Sequence, residues 1–531
     1  MFAKLKARVA QVSWRQQAPE LIVVVLALLL RLSMAFTYDI RDGFDWKYHS
    51  EYLRWIADHG DLPRYDMNVA AYHPPLYYTI GAIILKLGLG NHGLQTFSLL
   101  CGAARFLIIW AALKRYLPER LLGRLVALTL LAVLPAGLGL EAMGSNESIG
   151  CLLATLAMVM IPTTVGQQRP GLRSCALLGL VLGLALLTKF SAFVLCLSVA
   201  LGVALDLYWR RPHSLRELGR RVGPLFVTAA VVALVAGWFY VRNQRLYGKA
   251  VLTGYDGAAK LVVVDFRKAP YLDRRPLGYF VGWNNDVLDD PYFPSGTTPR
   301  SRFFPVVVSS TFVDSFNTQL ATPPRGKDSI VQKNQRSLRA NMLMVSRLAA
   351  TCGTVIGAVT MIAWLVVWRR RRRAHDAATV TLLLIPLLAL VGQLHFAIEY
   401  PNDGFGPVKG TYLQFAAPPL FVLLGLAVSW LWTRWRIAPR VMALVCVLAV
   451  LGVVDYTLAC RMPALTHAKA RASFGSARGW AEEKEERIVK AHPVAVPVEA
   501  SVGRLALSAS PGRGETSPPD EGTALSPATV Q

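Results

Sequence analysis

Acidic, aromatic and histidine residues are concentrated in the stretch from residue 39 to residue 73. From Asp45 onward this stretch favours a helix, on which four residues share one face at i, i+3, i+4 and i+7 spacing: Asp45, Tyr48, His49 and Tyr52. A carboxylate and an imidazole one turn apart can form an acid–base pair or hold a divalent ion. The same residues also fit a capped, solvated helix, and taken alone the spacing favours that structural interpretation.

Two later motifs also carry ionisable residues. In Tyr72-His73-Pro74-Pro75-Leu76 the double proline predicts an extended chain that leads into a helix, with His73 at its start. A lone histidine at such a position is more often structural. In Gly144-Ser145-Asn146-Glu147-Ser148, Ser145 or Asn146 can cap the next helix and Glu147 suits its positive end, so capping explains this motif without invoking chemistry.

Two cations lie at the ends of apolar segments. Arg242 follows the apolar residues 222–241, and Lys409 begins Lys409-Gly410-Thr411-Tyr412-Leu413. An arginine at a membrane edge can simply reach the lipid headgroups. A guanidinium at that depth equally suits a lipid-linked phosphate, which it can bind bidentately, and Lys409 would supply a second cation at the same level.

The elements that must position these residues are membrane helices. The 531-residue chain is 53% hydrophobic and only 17% charged, and its mean hydropathy is positive, which excludes an ordinary soluble protein. We predict an all-α polytopic membrane protein of about 11 transmembrane helices, in the range 10–13. The predicted segments are residues 21–38, 94–113, 125–140, 148–165, 174–188, 190–205, 222–241, 345–368, 377–398, 411–433 and 441–459.

The net charge of +24 is distributed as membrane topology requires, so we expect no nucleic-acid partner. With residues 1–20 in the cytoplasm, every strongly basic short loop falls on the cytoplasmic side: residues 114–124, 166–173, 206–221, 369–376 and 434–440. This agreement requires that residues 74–90 form an interfacial helix and not a span. The first span follows basic residues and is expected to remain uncleaved.

Two long loops then lie outside the cytoplasm, at residues 39–93 and 243–344, and the membrane domain extends over residues 21–460. The tail at residues 461–531 is rich in Pro, Ser, Ala and Gly toward its end and is predicted to be largely disordered. The seven cysteines show neither paired nor metal-like spacing, so we expect no disulfide framework and no zinc site.

In their order along the chain, these motifs resemble the GT-C superfamily of membrane glycosyltransferases, in the branch of protein O-mannosyltransferases and aminoarabinose transferases of lipid A. The resemblance covers roughly residues 20–430 as an order of elements. Phe44-Asp45-Trp46-Lys47-Tyr48-His49 is similar to the family's Pro-Asp-Glu-x-x-His pattern without its proline and glutamate. Further landmarks are His73-Pro74-Pro75-Leu76, Ser145-Asn146-Glu147, Leu187-Thr188-Lys189-Phe190, Arg242-Asn243, Tyr247-Gly248 and Gly410-Thr411-Tyr412-Leu413; the last lacks the family's arginine.

The resemblance implies a hexosyl or pentosyl transferase that uses a polyprenyl-phosphate sugar, works among membrane lipids and glycosylates a lipid, glycan or protein, in a bacterial inner membrane. Asp45 would be the catalytic base, supported by His49, His73 and Glu147, while Arg242, Lys409 and Tyr412 would bind the donor phosphate. No cofactor is certain, and a divalent metal on Asp45 and His49 stays open. The alternatives are a transporter or flippase, a glycan polymerase or ligase, and a non-catalytic relative.

Overall fold

The computed structural model describes residues 14–37, 40–43, 45–254, 256, 269–283, 302–312, 329–401 and 408–434. All of them belong to the first of two units, Met1–His467, and the second unit, Ala468–Gln531, lies outside the described residues. Every regular element in the described ranges is helical. The predicted all-α class is therefore confirmed for this part of the chain, whereas the predicted tail and the segment 441–459 lie outside it.

Fifteen α-helices lie within these ranges. In chain order they are α1 Trp14–Thr37, α2 Trp46–His59, α3 Leu76–Lys86, α4 Gly90–Tyr116, α5 Leu121–Val133, α6 Pro135–Ala142, α7 Glu147–Met160, α8 Leu172–Leu186, α9 Phe193–Arg210, α10 Leu215–Tyr247, α11 Leu277–Val281, α12 Phe303–Phe312, α13 Ser329–Arg373, α14 Ala377–Glu399 and α15 Pro418–Arg434. Short 3-10 turns lie at Ile40–Asp42, Ile161–Thr163, Phe190–Ala192, Tyr271–Arg274 and Gly410–Ala416.

Six of the described helices are long and apolar enough to cross a membrane, and the number rises to eight if two bent pairs each count as one span. The predicted spans 148–165 and 174–188 fold as shorter helices of at most 17 residues. The exact count of eleven is therefore not confirmed. Helix α3, at 11 residues, is about 16 Å long and too short to cross the roughly 30 Å hydrocarbon core, so residues 74–90 do not form a single straight span.

Proline breaks two of the predicted spans. Helices α5 and α6 meet at 47°, where Pro135 begins α6 and Leu134 before it is extended. The 3-10 turn Gly410–Ala416 meets α15 at 81°, and α15 begins at Pro418. Leu134 before Pro135 leaves helical geometry, whereas Ala417 before Pro418 keeps helical backbone angles. In both places the proline cannot donate a helical hydrogen bond, and the apolar run is divided into two directions.

Helix α8 packs closely on α10 through two glycines one turn apart. A Cβ on Gly179 would lie 2.6 Å from the Thr228 carbonyl oxygen, and a Cβ on Gly183 would lie 2.8 Å from Val235 Cβ. The absence of side chains lets the two backbones approach, as in other small-residue membrane interfaces. This contact fixes the end of α8, from which residues 187–189 lead to the candidate site.

The basic loops meet at helix ends remote from the candidate site. Arg124 donates to the buried Glu20, which joins the start of α5 to α1. Arg210 donates to the Gly166 carbonyl at 2.8 Å, and the rings of Trp209 and His375 stack with centroids 5.4 Å apart. Helices α5–α6 and α7 connect these ends to residues 143–147. The grouping agrees with the predicted sidedness, whose assignment to the cytoplasm still depends on the positive-inside rule.

Candidate active site

Asp45 directly precedes α2 and has an unusual backbone. Its φ of 59° and ψ of 13° lie in the left-handed region, and its side chain makes no capping hydrogen bond to the helix. Aspartate tolerates this conformation better than most residues, although at some cost. Burial raises the pKa of the Asp45 carboxyl, and the nearby positive charge of Lys409 opposes that rise. The capping interpretation of Asp45 is therefore wrong for its side chain, whose carboxyl is instead influenced by the charge of Lys409.

Trp46 occupies the position at which the family pattern has a glutamate. Its side chain is buried, and a Cβ on Gly144 would lie 2.2 Å from the Trp46 ring. The indole therefore packs flat on the backbone of Gly144, one residue before the motif that contains Glu147. The tryptophan attaches the start of α2 to this motif by packing, where an acid would have added charge.

His49 belongs to a stack of aromatic rings beneath Asp45. Its Nδ1 lies 2.8 Å from the Tyr78 hydroxyl, its ring is 6.0 Å from that of His73, and the rings of Tyr52 and Tyr78 stack at 3.8 Å. The Tyr52 hydroxyl donates to the His73 carbonyl at 3.2 Å. This stack joins α2 to the start of α3.

Burial and neighbouring positive charges favour the neutral form of both histidines in the stack. The pKa of His49 is lowered to about 3, first by burial and then by the charges of Lys189 and Lys409. Burial, together with the charges of His49 and Lys189, lowers the pKa of His73 well below its usual value. A neutral imidazole next to cations cannot serve as a general acid at ordinary pH, so both residues can contribute only shape and hydrogen bonds.

The turn after α8 connects three of the sequence motifs. The Leu187 carbonyl accepts a 2.8 Å hydrogen bond from the Leu76 amide, and the Thr188 carbonyl accepts one of 3.1 Å from the Asn146 side-chain amide. Ser145 Oγ accepts a 3.4 Å hydrogen bond from the Glu147 amide at the start of α7, which agrees with the capping interpretation for Ser145. Asn146 makes no capping bond to α7, so that interpretation is wrong for Asn146. The side-chain amide of Asn146 instead holds the turn that carries Lys189.

The side chains of Lys189 and Lys409 both lie next to the ring of Tyr412. The Lys189 ammonium forms an ion pair with Glu147 and lies 4.4 Å from the centre of the Tyr412 ring. The Lys409 ammonium lies 5.3 Å from the same ring. A tyrosine face attracts cations, so the Tyr412 ring is a common neighbour of the two ammonium groups. Lys189 was not predicted as a site residue. Its motif, Leu187-Thr188-Lys189-Phe190, was nevertheless among the family landmarks, and its turn between apolar segments was expected outside the cytoplasm.

Contacts from two other helices position the 3-10 turn Gly410–Ala416, which carries Tyr412. The Gly410 amide donates to Ser310 Oγ of α12 at 2.7 Å, and Arg105 of α4 donates to the Gln414 carbonyl at 2.8 Å. Both Arg105 and Gln414 are buried. Buried polar groups with fixed partners are rigid, so the turn has a defined place relative to α4 and α12.

Arg242 lies beside the aromatic stack and not on Tyr412. Its guanidinium carbon is 5.8 Å from the centre of the Tyr247 ring, and its charge acts on the Tyr52 hydroxyl. Of the sequence-predicted residues, the structure therefore brings Asp45, His49, His73, Glu147, Lys409 and Tyr412 into one connected group. Arg242 joins that group through Tyr52.

The described residues contain no group of three or more His, Cys, Asp or Glu side chains that could hold a metal ion. The Asp45–His49 pair suggested from the sequence also fits a metal poorly, because His49 Nδ1 is used by Tyr78 and its ring is buried in the stack. Two ligands fall short of the coordination that divalent ions usually require from protein.

Residues 72–240 match the family model of dolichyl-phosphate-mannose-protein mannosyltransferase. The matched segment contains His73, Glu147 and Lys189, and it confirms the predicted resemblance to GT-C membrane glycosyltransferases over that part of the chain. No curated protein matches the sequence.

Two kinds of solved structure are similar in outline. The oligosaccharyltransferase of Archaeoglobus fulgidus, crystallised with a tethered acceptor peptide, has 12% identity and a TM-score of 0.42 over 83% of this chain and 54% of that one. ArnT from Cupriavidus metallidurans, bound to undecaprenyl phosphate, has 13% identity and a TM-score of 0.35 over 77% of each chain. The present chain thus spans about half the length of the archaeal enzyme.

Proposed function

We propose that this protein transfers a sugar from a polyprenyl-phosphate carrier to a hydroxyl of a lipid, glycan or protein at the non-cytoplasmic face of the membrane. The observation that carries the proposal is the placement of the Lys189 and Lys409 ammonium groups against one ring, that of Tyr412, with Asp45 close enough for the charge of Lys409 to act on its carboxyl. A carboxyl with a raised pKa, together with two ammonium groups on a neighbouring tyrosine ring, suits a reaction that removes a proton and releases a phosphate. The matched family model also names a lipid-phosphate sugar donor.

In the proposed reaction, Asp45 accepts the proton of the acceptor hydroxyl as its oxygen attacks the anomeric carbon. The bond from that carbon to the phosphate oxygen breaks, the electron pair leaves with the lipid phosphate, and the anomeric configuration inverts. A raised pKa makes Asp45 a stronger base than an ordinary aspartate. Lys409 and Lys189 stabilise the leaving phosphate, with Tyr412 between them and Arg242 at the margin.

A transporter or flippase would use ionisable groups within its spans, and Arg31, Arg105 and His395 lie on helices long and apolar enough to cross a membrane. Each has a fixed structural contact: Arg31 pairs with Glu141 at 2.7 Å, Arg105 bonds the Gln414 carbonyl, and His395 bonds the Tyr271 hydroxyl. A buried arginine paired in this way joins helices and offers no site for transported charge. These contacts favour the transferase over a transporter.

The test compares Asp45→Asn with wild type for transfer from a panel of polyprenyl-phosphate hexoses and pentoses in reconstituted vesicles. Asparagine preserves the shape and tolerates the left-handed backbone, so folding should be retained. Loss of a general base lowers the rate about 10²–10⁴-fold. The control is Asp58→Asn, an exposed aspartate on α2. Equal rates in both variants at equal protein levels would refute Asp45 as the base.

A further inference from the structure

Helix α14 carries a stripe of side chains that faces away from the protein. Leu387, Val391, His395 and Glu399 recur every four residues and therefore share one face. Leu387 and Val391 are large exposed hydrophobics on a helix long enough to cross a membrane. Outward apolar side chains on such a helix face lipid, so this stripe marks the lipid boundary of the protein.

The residues 271–283 lie on the end of this stripe. The Tyr271 hydroxyl lies 2.6 Å from His395 Nδ1, and the two rings stack with centroids 5.6 Å apart. Arg274 forms an ion pair of 2.5 Å with Glu399. Since His395 and Glu399 are four and eight residues beyond Val391, these contacts lie about 6 and 12 Å further along the helix axis, toward the end at which a 23-residue helix of about 34 Å leaves the hydrocarbon core.

The same segment exposes an unusual amount of apolar surface. Leu272, Leu277 and Val281 are 78%, 76% and 73% exposed, and Trp283 is nearly half exposed. Meanwhile Tyr271, Arg274 and Arg275 turn toward the polar end of α14, where Arg275 donates to the Ala397 carbonyl at 3.3 Å. Apolar side chains on one part and arginine and tyrosine on the other form the composition typical of elements that lie in the membrane interface.

We propose that segment 271–283 is embedded in the outer leaflet of the bilayer, with Leu272, Leu277 and Val281 among the acyl chains. Two observations carry this inference independently of the enzymatic function: the contacts to the end of the lipid-facing stripe, and the concentration of exposed apolar side chains in the segment. It adds a membrane contact to the loop 243–344, for which the sequence predicted only a position outside the cytoplasm. The occupant of this surface is the phospholipid of the bilayer and not a protein partner.

The test places a photoreactive benzophenone amino acid at position 272, 277 or 281 of the full chain, one position at a time. The variants are reconstituted in vesicles of phosphatidylethanolamine and phosphatidylglycerol and irradiated, and lipid adducts are identified by mass spectrometry. Val391 is the lipid-facing reference and the exposed Asp61 is the water-facing reference. We expect adduct yields at the three positions within about threefold of position 391 and at least tenfold above position 61.

A second measurement uses nitroxide labels at the same five positions and compares collision rates with oxygen, which dissolves in lipid, and with a water-soluble nickel chelate. The inference predicts an oxygen preference at 272, 277 and 281 that resembles position 391. Adducts or collisions that resemble position 61 would overturn it. So would adducts to a protein in native membranes that replace the lipid adducts.

Discussion

Replacing Gly410 with alanine should displace the turn that carries Tyr412. An added Cβ would lie 2.0 Å from Thr311 Oγ1, 2.8 Å from the Val307 carbonyl oxygen and 2.9 Å from the Thr311 amide nitrogen. The Thr311 hydroxyl can rotate, but the two backbone atoms belong to α12 and cannot move independently. Since carbon atoms normally approach other heavy atoms to about 3.5 Å, the turn must shift by roughly 1 Å.

That displacement sets the expected size of the effect. A misplacement of about 1 Å in a positioned group can lower a rate by about 10²-fold. Overpacking costs about 1–3 kcal/mol of stability, so the variant should still fold. We therefore expect Gly410→Ala to lower kcat/KM for polyprenyl-phosphate sugar about 100-fold, with a modest fall in the thermal unfolding midpoint.

The assay measures sugar transfer in vesicles together with thermal unfolding and gel filtration in detergent. Gly392→Ala is the matched control, because nothing lies within 4 Å of a Cβ at Gly392 and alanine favours helix α14. Activity of Gly410→Ala within threefold of this control, in a folded protein, would refute the placement of the turn in the active site.

Two further predictions concern the charges around Tyr412. Asp45 must be ionised to accept a proton, so activity should fall as the pH drops through its raised pKa. Lys409→Gln removes the charge that lowers this pKa, so the acid limb of the pH–rate profile should move to higher pH. The control Lys47→Gln, on the exposed surface, should leave the acid limb where it is. Lys189→Met leaves the largely buried Glu147 without its partner, which should lower the free energy of unfolding in denaturant by about 3 kcal/mol. Lys189→Arg keeps a cation there and should retain most of that stability. Equal stability of both variants would contradict the ion pair.

The sequence was informative about helices and about which motifs belong together, because both signals are local or ordered along the chain. Apolar runs identified α1, α4, α9, α10 and α14. Pro135 and Pro418 stood inside predicted spans, and the two breaks there were not predicted, although a proline removes a helical hydrogen bond. The runs 148–165 and 174–188 show the limit, since apolar composition does not fix the length of a helix that other helices shield from lipid.

The errors at the candidate site have a different origin. A cap is a local interaction and was a reasonable expectation for Asp45 and Asn146, yet neither side chain bonds its own helix. Asn146 is used by Thr188, which is 42 residues away, and Asp45 is oriented by a left-handed backbone. Neither feature has a signature within a few residues of sequence, so no periodicity argument could reveal them.

The two departures from the family pattern have different consequences for charge. Trp46 replaces an acid with a ring that packs on Gly144, so Asp45 remains as the carboxyl of that motif and its pKa is governed by burial and one neighbouring cation.

Thr411 stands where an arginine is expected, and its side chain is buried, which leaves no room there for a guanidinium without repacking. Lys409 supplies a cation two residues earlier, and Lys189 supplies another from the turn after α8. Two separate segments therefore each place a positive charge next to the Tyr412 ring. Because these charges can stabilise a leaving phosphate, the proposed chemistry does not require the missing arginine.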